Sequence, residues 1–208
     1  RIKLRIIFFA GGTLGHITPA IELVNQIKKR YPNSYIVFAA TIKDKSYEII
    51  NNSKCDKVMY FECYSTNFNI KKHLLNFKTY QQIKKIIKEE DINVAYGFGG
   101  YISGIGVFAA SNLNLDIYIH EQNSVPGKTN LFLSKHATKI GVSLKNTINS
   151  FPINKTIFTG NPCSEDAINI KPALKSEFNL TENKKLILFV MGSLGSSKMN
   201  EFLIKTMT

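Results

Sequence analysis

Phe8-Phe9-Ala10-Gly11-Gly12-Thr13-Leu14-Gly15-His16-Ile17-Thr18-Pro19-Ala20, residues 8–20, decides how the rest of the chain is read. Residues 4–10 are an apolar run broken only by Arg5, the mark of a buried strand. Downstream, Ile21, Val24 and Ile27 recur at helical spacing. Pro19 is expected in the first helical turn, where an absent N–H leaves nothing unbonded. Strand, glycine turn and helix in this order aim backbone N–H groups at an anion. His16 stands at the mouth of that turn, one of very few ionisable groups there.

The alternation continues. Residues 35–40 (YIVFAA) form a second apolar strand, 44–51 a short helix and 57–61 a third strand. Ile70, Leu74, Phe77, Tyr80, Ile83 and Ile87 predict a long helix over 70–90. Residues 93–96 are a short strand running into a second glycine turn, 97–104, with a helix over 105–112. Residues 116–119 are the next strand, with His120-Glu121-Gln122-Asn123 at its carboxyl end. A helix is predicted over 126–134, and strands over 138–142 and 155–158. This is the pattern of an α/β, Rossmann-like fold with a parallel sheet and right-handed crossovers. Such sheets place ligands outside the carboxyl ends of their strands. Clusters 11–16, 97–104 and 120–123 are therefore expected at one edge.

Residues 167–185 are polar and contain Pro172, as a linker with a short helix would. An apolar run, 186–190 (LILFV), then leads into Met191-Gly192-Ser193-Leu194-Gly195-Ser196 and another helix. This repeats the opening strand, glycine turn and helix. The expectation is a first domain over 1–160, then a linker and the start of a second Rossmann-like domain over 161–208. The first residue is not methionine and the last ones stop inside a helical pattern, so a piece of a longer chain is expected.

At 208 residues and 44% hydrophobic content the chain supports a packed core rather than disorder. No apolar run reaches the length of a membrane span. Arg1, Lys3 and Arg5 interleave with the first strand, which is not a signal-peptide pattern. Cys55, Cys63 and Cys163 are an odd number without metal-ligand spacing, read as three reduced thiols of a cytosolic protein. A net charge of +12 suits phosphorylated substrates, an anionic membrane surface or nucleic acid. No nucleic-acid motif accompanies the charge, so nucleic acid is not the expected partner. In the helix over 70–90, Leu74, Leu75 and Phe77 lie among lysines. They fit an interfacial membrane contact as well as an ordinary crossover helix with a solvated face.

Neither glycine turn carries a nucleotide fingerprint. The G-x-G-x-x-G spacing is absent at Gly11, and no Gly-Lys-Ser/Thr follows. A nicotinamide-dependent oxidoreductase also needs an acidic residue after the second strand. Asp44 is nearby, but without the fingerprint this reading is weak. Each glycine turn alone could equally be a tight strand–helix connection. His16 could make a structural hydrogen bond. The helix N-terminus disfavours a second positive charge there, so a neutral imidazole acting as general base is the sharper reading. His73 and His136 lie in predicted helices and are assigned no chemistry. His120 and Glu121 should point opposite ways, one into the core and one into the cleft. Asn123 could present its amide to a sugar or cap the next helix.

Taken together, the clusters resemble an ordered motif set. Gly11-Gly12-Thr13-Leu14-Gly15-His16 with Pro19-Ala20, Gly99-Gly100-Tyr101-Ile102-Ser103, His120-Glu121-Gln122-Asn123, Gly160-Asn161-Pro162 and Gly192-Ser193-Leu194-Gly195 are similar to those of the MurG family. These are the undecaprenyl-diphospho-muramoylpentapeptide β-N-acetylglucosaminyltransferases. The resemblance spans essentially the whole chain. It implies the two-domain GT-B glycosyltransferase fold. It implies inverting transfer of GlcNAc from UDP-GlcNAc to lipid I, giving lipid II for peptidoglycan, with no cofactor or required metal. It further implies a peripheral place on the cytoplasmic face of the membrane, and possible cell-wall synthesis proteins as partners.

Carried over by position, the resemblance makes His16 the candidate base. It puts Thr13, Leu14, Gly15, Asn123, Ser164 and Ser193 toward the donor. It puts Gly99, Gly100, Tyr101 and Ser103 at the acceptor diphosphate, Glu121 toward the acceptor, and Leu74, Leu75 and Phe77 in the membrane patch. There are departures. Ser164 stands where the family commonly has a donor-contacting arginine, whose loss costs on the order of 1.5–3 kcal/mol. Met191 replaces a usual glycine and Leu194 a common glutamine. A non-catalytic acceptor-binding subunit, or an inactive fragment needing a separate donor-binding partner, is the alternative from another class.

Overall fold

The computed structural model describes residues 4–65, 69–181, 183–191 and 195–207. Its first compact unit runs from Arg1 to Cys163 and its second from Ser164 to Thr208. In the first unit β1 (Arg5–Phe9) leads into α1 (Leu14–Arg30), then β2 (Tyr35–Thr41), α2 (Glu48–Asn51) and β3 (Lys57–Phe61). There follow α3 (Ile70–Glu89), β4 (Val94–Gly97), α4 (Gly100–Ser111), β5 (Asp116–Glu121), α5 (Lys128–Leu133), β6 (Lys139–Val142) and β7 (Thr156–Phe158).

The strands form one parallel sheet in the order β3-β2-β1-β4-β5-β6-β7. Both faces are covered, which is why the strands read as continuous apolar runs rather than alternating ones. Along β1, Ile7 and Phe9 enter one core with Ile83 and Ile87 of α3, Val107 of α4 and Leu133 of α5. Ile6 and Phe8 enter the opposite core with Ile17, Ile21 and Val24 of α1 and Ile50 of α2. On that second face the rings of Phe8, Tyr96 and Tyr118 stack across β1, β4 and β5 with centroids 5.1 and 5.0 Å apart. The chain winds outward in both directions from the β1–β4 pair. That pair is the topological switch point, where such sheets open a crevice.

Three boundaries differ from the expectations. Helix α1 starts at Leu14, so Pro19 lies in its second turn and deprives the Gly15 carbonyl of its usual donor. Helix α4 starts at Gly100, not residue 105. Glycine reads as a turn in sequence, but here it permits contact: a Cβ on Gly106 would lie 2.6 Å from Phe9 Cγ. The expected strand at 186–190 carries no strand pairing, and its side chains are exposed. An apolar run becomes a strand only beside another, and the described residues of its unit supply none. The second unit contains α6 (Ser164–Asn169) and α7 (Ser197–Met207).

Candidate functional site

The site is built on the two glycine turns that flank the switch point. After β1 the chain passes through Gly11 and Gly12; Gly12 takes φ +88°, a conformation an L side chain resists. Thr13 is extended at the N-cap of α1, so Leu14, Gly15 and His16 form the first helical turn. The Leu14 and Gly15 N–H groups thus belong to the set that a helix leaves without internal partners. His16 Nδ1 lies 3.2 Å from the Gly11 carbonyl oxygen and 3.4 Å from Thr13 Oγ1. A carbonyl only accepts, so the shorter contact places the proton on Nδ1 and leaves the Nε2 lone pair free.

The second turn closes on that ring. Gly99 and Gly100 take φ +100° and +81°. A Cβ on Gly99 would lie 2.9 Å from His16 Nε2, and one on Gly100 would strike the Gly11 carbonyl. Both glycines are thus needed for the two turns to meet. Tyr101, next in α4, is half exposed. Ser103 is fully buried beneath Gly97, and its hydroxyl has no hydrogen-bond partner among the described residues.

At the end of β5 both His120 and Glu121 are buried, whereas alternation alone put just one of them inside. Glu121 organises its own loop. It accepts from the Asn123 N–H at 2.9 Å, Asn123 Nδ2 at 3.1 Å, the Gly127 N–H at 3.0 Å and Asn130 Nδ2 at 2.9 Å. Asn123 is itself exposed, with its amide nitrogen held by Glu121. His120 packs against Phe98 and lies 3.0 Å from the Gly160 carbonyl through Nε2. Burial holds its imidazole below the ordinary range, against the opposing pull of that carbonyl and of Glu121.

These segments border one cavity of about 940 Å³ within the first unit. His16, Gly99, Gly100, Tyr101, Glu121 and Asn123 line its polar end. The other end is aromatic: Phe77 and Tyr80 of α3, Phe108 of α4 and Phe132 of α5. Successive ring centroids there stand 6.0–6.1 Å apart. Leu74 and Phe77 are exposed, while Leu75 is half buried. No described helix is long and apolar enough to cross a membrane.

Ser164 opens α6 in the second unit and is exposed. Ser193 lies outside the described residues. Burial pushes the Cys55 thiol up to about 11 and the Cys63 thiol to about 12, so neither is a ready nucleophile. Asp44, the acidic residue on which a nicotinamide reading would rest, is buried and already accepts from Thr41 and Gly12.

Residues 6–142 match the glycosyltransferase family 28 N-terminal domain. The chain belongs to glycosyltransferase family 28. Among its relatives is a protein of Pediococcus pentosaceus named UDP-N-acetylglucosamine–N-acetylmuramyl-(pentapeptide) pyrophosphoryl-undecaprenol N-acetylglucosamine transferase. It is 37% identical over 98% of this chain and 58% of that protein. A Bacillus subtilis protein of the same name is 32% identical over 97% of this chain and 57% of its own length. Among solved structures, Acinetobacter baumannii MurG superposes with a TM-score of 0.71 at 26% identity, covering 96% of this chain and 55% of that one. A UDP-N-acetylglucosamine 2-epimerase shares the fold, with a TM-score of 0.61 at 15% identity. This family 28 chain spans a little over half the length of the curated relatives it matches.

Two features escaped the sequence. Phe108 and Phe132 carry no local sequence signal of a site, yet they line the cavity. Asp44 reads as a helix-start residue, and only the fold brings it onto Gly12. Its position directly after the strand that neighbours β1 was the available signal.

Proposed function

We propose that this chain is the acceptor-side part of an N-acetylglucosaminyltransferase of peptidoglycan synthesis. In this reading it presents lipid I to UDP-GlcNAc at the cytoplasmic face of the membrane. The observation that carries the proposal is His16. Its Nδ1 is on the Gly11 carbonyl, and it stands where two glycine turns meet at the polar end of a cavity with an aromatic far wall. The names of the relatives supply the substrates.

The chemistry follows from that geometry. The C4 hydroxyl of the acceptor sugar attacks the anomeric carbon of GlcNAc. His16 Nε2 takes the hydroxyl proton, the new C–O bond forms, and the bond to UDP breaks with its electron pair leaving on the diphosphate. Attack opposite the leaving group inverts the anomeric centre. Backbone N–H groups at the start of α4, beside Gly99 and Gly100, suit the acceptor diphosphate. The start of α1, at Thr13, Leu14 and Gly15, together with Asn123, faces the donor. Ser164 and Ser193 belong to the donor-side unit in this reading. The aromatic wall and the exposed Leu74 and Phe77 suit the polyprenyl chain and the membrane surface.

The test joins this chain to the part of the Pediococcus pentosaceus relative that lies beyond the matched region. GlcNAc transfer to lipid I in detergent is then measured. Transfer by the chimera is expected, with His16→Ala lowering turnover about 10²–10⁴-fold while UDP-GlcNAc binding stays within about twofold. A folded chimera that binds UDP-GlcNAc and lipid I without transfer would leave the non-catalytic, acceptor-binding reading. Equal losses in binding and turnover would remove His16 as base.

A further inference from the structure

One peptide bond stands between a buried carboxylate and the His16 ring. The Gly12 N–H donates to Asp44 Oδ1 and Oδ2 at 3.1 and 3.2 Å. The carbonyl of the same peptide group, that of Gly11, faces His16 Nδ1 at 3.2 Å. No described peptide is cis. In a trans unit the N–H and C=O point to opposite sides, so the amide bridges the two side chains.

Asp44 is 1% exposed and enters no ion pair among the described residues. Its other donors are the Thr41 N–H at 2.9 Å and Thr41 Oγ1 at 2.7 Å. Its charge is therefore answered by dipoles alone, and the Gly11–Gly12 amide is one of them. Hydrogen bonds in series polarise one another, and they do so more strongly in a buried setting. A carboxylate on the N–H draws electron density toward the carbonyl oxygen and makes it a stronger acceptor. That oxygen then holds the His16 proton on Nδ1, and Nε2 keeps its lone pair.

We propose that Asp44 is a positioning residue that acts through the Gly11–Gly12 peptide to fix the His16 tautomer. The amide does here what a carboxylate in direct contact with histidine does in hydrolytic triads. The carboxylate also occupies the Gly12 N–H, so that donor is not offered to a phosphate, and the anion-binding task of this turn falls to Leu14 and Gly15. The proposal deepens the reading of His16 as base, and its test does not depend on transfer.

The ¹⁵N-labelled 208-residue chain is examined by long-range ¹H–¹⁵N correlation at about pH 8, where imidazoles are neutral. His16 is expected in the Nδ1–H form. Asp44→Asn keeps the shape and one acceptor oxygen, which Gly12 and Thr41 can share at the Oδ2 position, but removes the charge. It should lower the ratio of Nδ1–H to Nε2–H about fivefold. Thr13→Val should leave the ratio unchanged, because the Thr13 hydroxyl is the longer contact. An unchanged ratio in a folded Asp44→Asn variant would reduce Asp44 to a structural role and overturn the proposal. If that variant does not fold, two measurements decide. Nδ1–H as the minor form in the unmutated chain overturns the proposal. Thr41→Val, which removes the hydroxyl donor from Oδ2 and leaves only the Thr41 and Gly12 N–H groups on it, must keep or raise the Nδ1–H share, and a fall overturns it. A tautomer that responds to Asp44 in a protein whose transfer ignores His16→Ala would separate this inference from the catalytic one.

Discussion

Asn130 Nδ2 donates to Glu121 Oε2 at 2.9 Å inside the fold, while Glu121 Oε1 holds the backbone and side chain of Asn123. A residue at the cavity is thus oriented from α5 through a buried acid. Glu121→Gln would set an amide NH₂ against donors it cannot accept from. We expect about 2–3 kcal/mol of lost stability in urea unfolding, with the loop 122–127 loosening first in hydrogen exchange. Protection of the Gly127 amide at the wild-type level would contradict this.

Gly100 is held at φ +81° with its α-carbon against the Gly11 carbonyl. Gly100→Ala should cost at least about 1–2 kcal/mol from backbone strain, with further cost as the two turns separate. Gly15 offers the contrast. It is exposed, helical and has φ in the ordinary range, and its nearest contact to an added Cβ is Thr13 Oγ1 at 3.6 Å. Gly15→Ala should be neutral or stabilising by up to about 1 kcal/mol. Equal melting temperatures for the two variants would refute the distinction.

His120 gives the fold an acid-side weakness. Burial depresses its folded affinity for a proton, so below the ordinary imidazole range the unfolded chain binds more protons than the native one. Stability present above about pH 6.5 is therefore lost as pH falls from there toward the lower folded value. His120→Gln should flatten that limb of the stability profile in urea titrations at successive pH values. A parallel profile would assign the acid sensitivity elsewhere.

Leu74 and Phe77 stand exposed on α3 beside the aromatic end of the cavity. Each buries roughly 1.5–3 kcal/mol worth of apolar surface if it enters a bilayer interface. Leu74→Ser and Phe77→Ser should each weaken partition into phosphatidylglycerol vesicles about tenfold or more, with helicity unchanged. Partition unchanged at low salt would dismiss the patch.

The sheet was legible because strands covered on both faces are uninterrupted apolar runs: YIVFAA at 35–40 and the run before Gly11 admit little else. Convergence of the glycine turns followed from the rule that open parallel sheets place their ligands outside the carboxyl ends of the strands. Helix α4 was misplaced at its start because Gly100 and Gly104 look like turn residues until the Gly11 carbonyl and Thr129 are seen across from them. Residues 186–190 have the composition of a strand, but pairing is a property of neighbours rather than of the run itself. The link from Asp44 to Gly12 joins residues 32 apart in sequence, and no local pattern encodes it. His16 was legible as a ring at a helix start, but which of its nitrogens carries the proton was not.

The contact of Gly106 with the Phe9 ring reaches further than packing. It sets how near α4 comes to β1, and both glycine turns spring from those two elements. The gap across which His16 faces Gly99 is therefore gauged by the thickness of one phenyl ring in the interior. Surface loops can drift without disturbing that gauge. Trimming the ring, or adding a methyl group opposite it, would shift the His16 imidazole without changing any residue that lines the cavity.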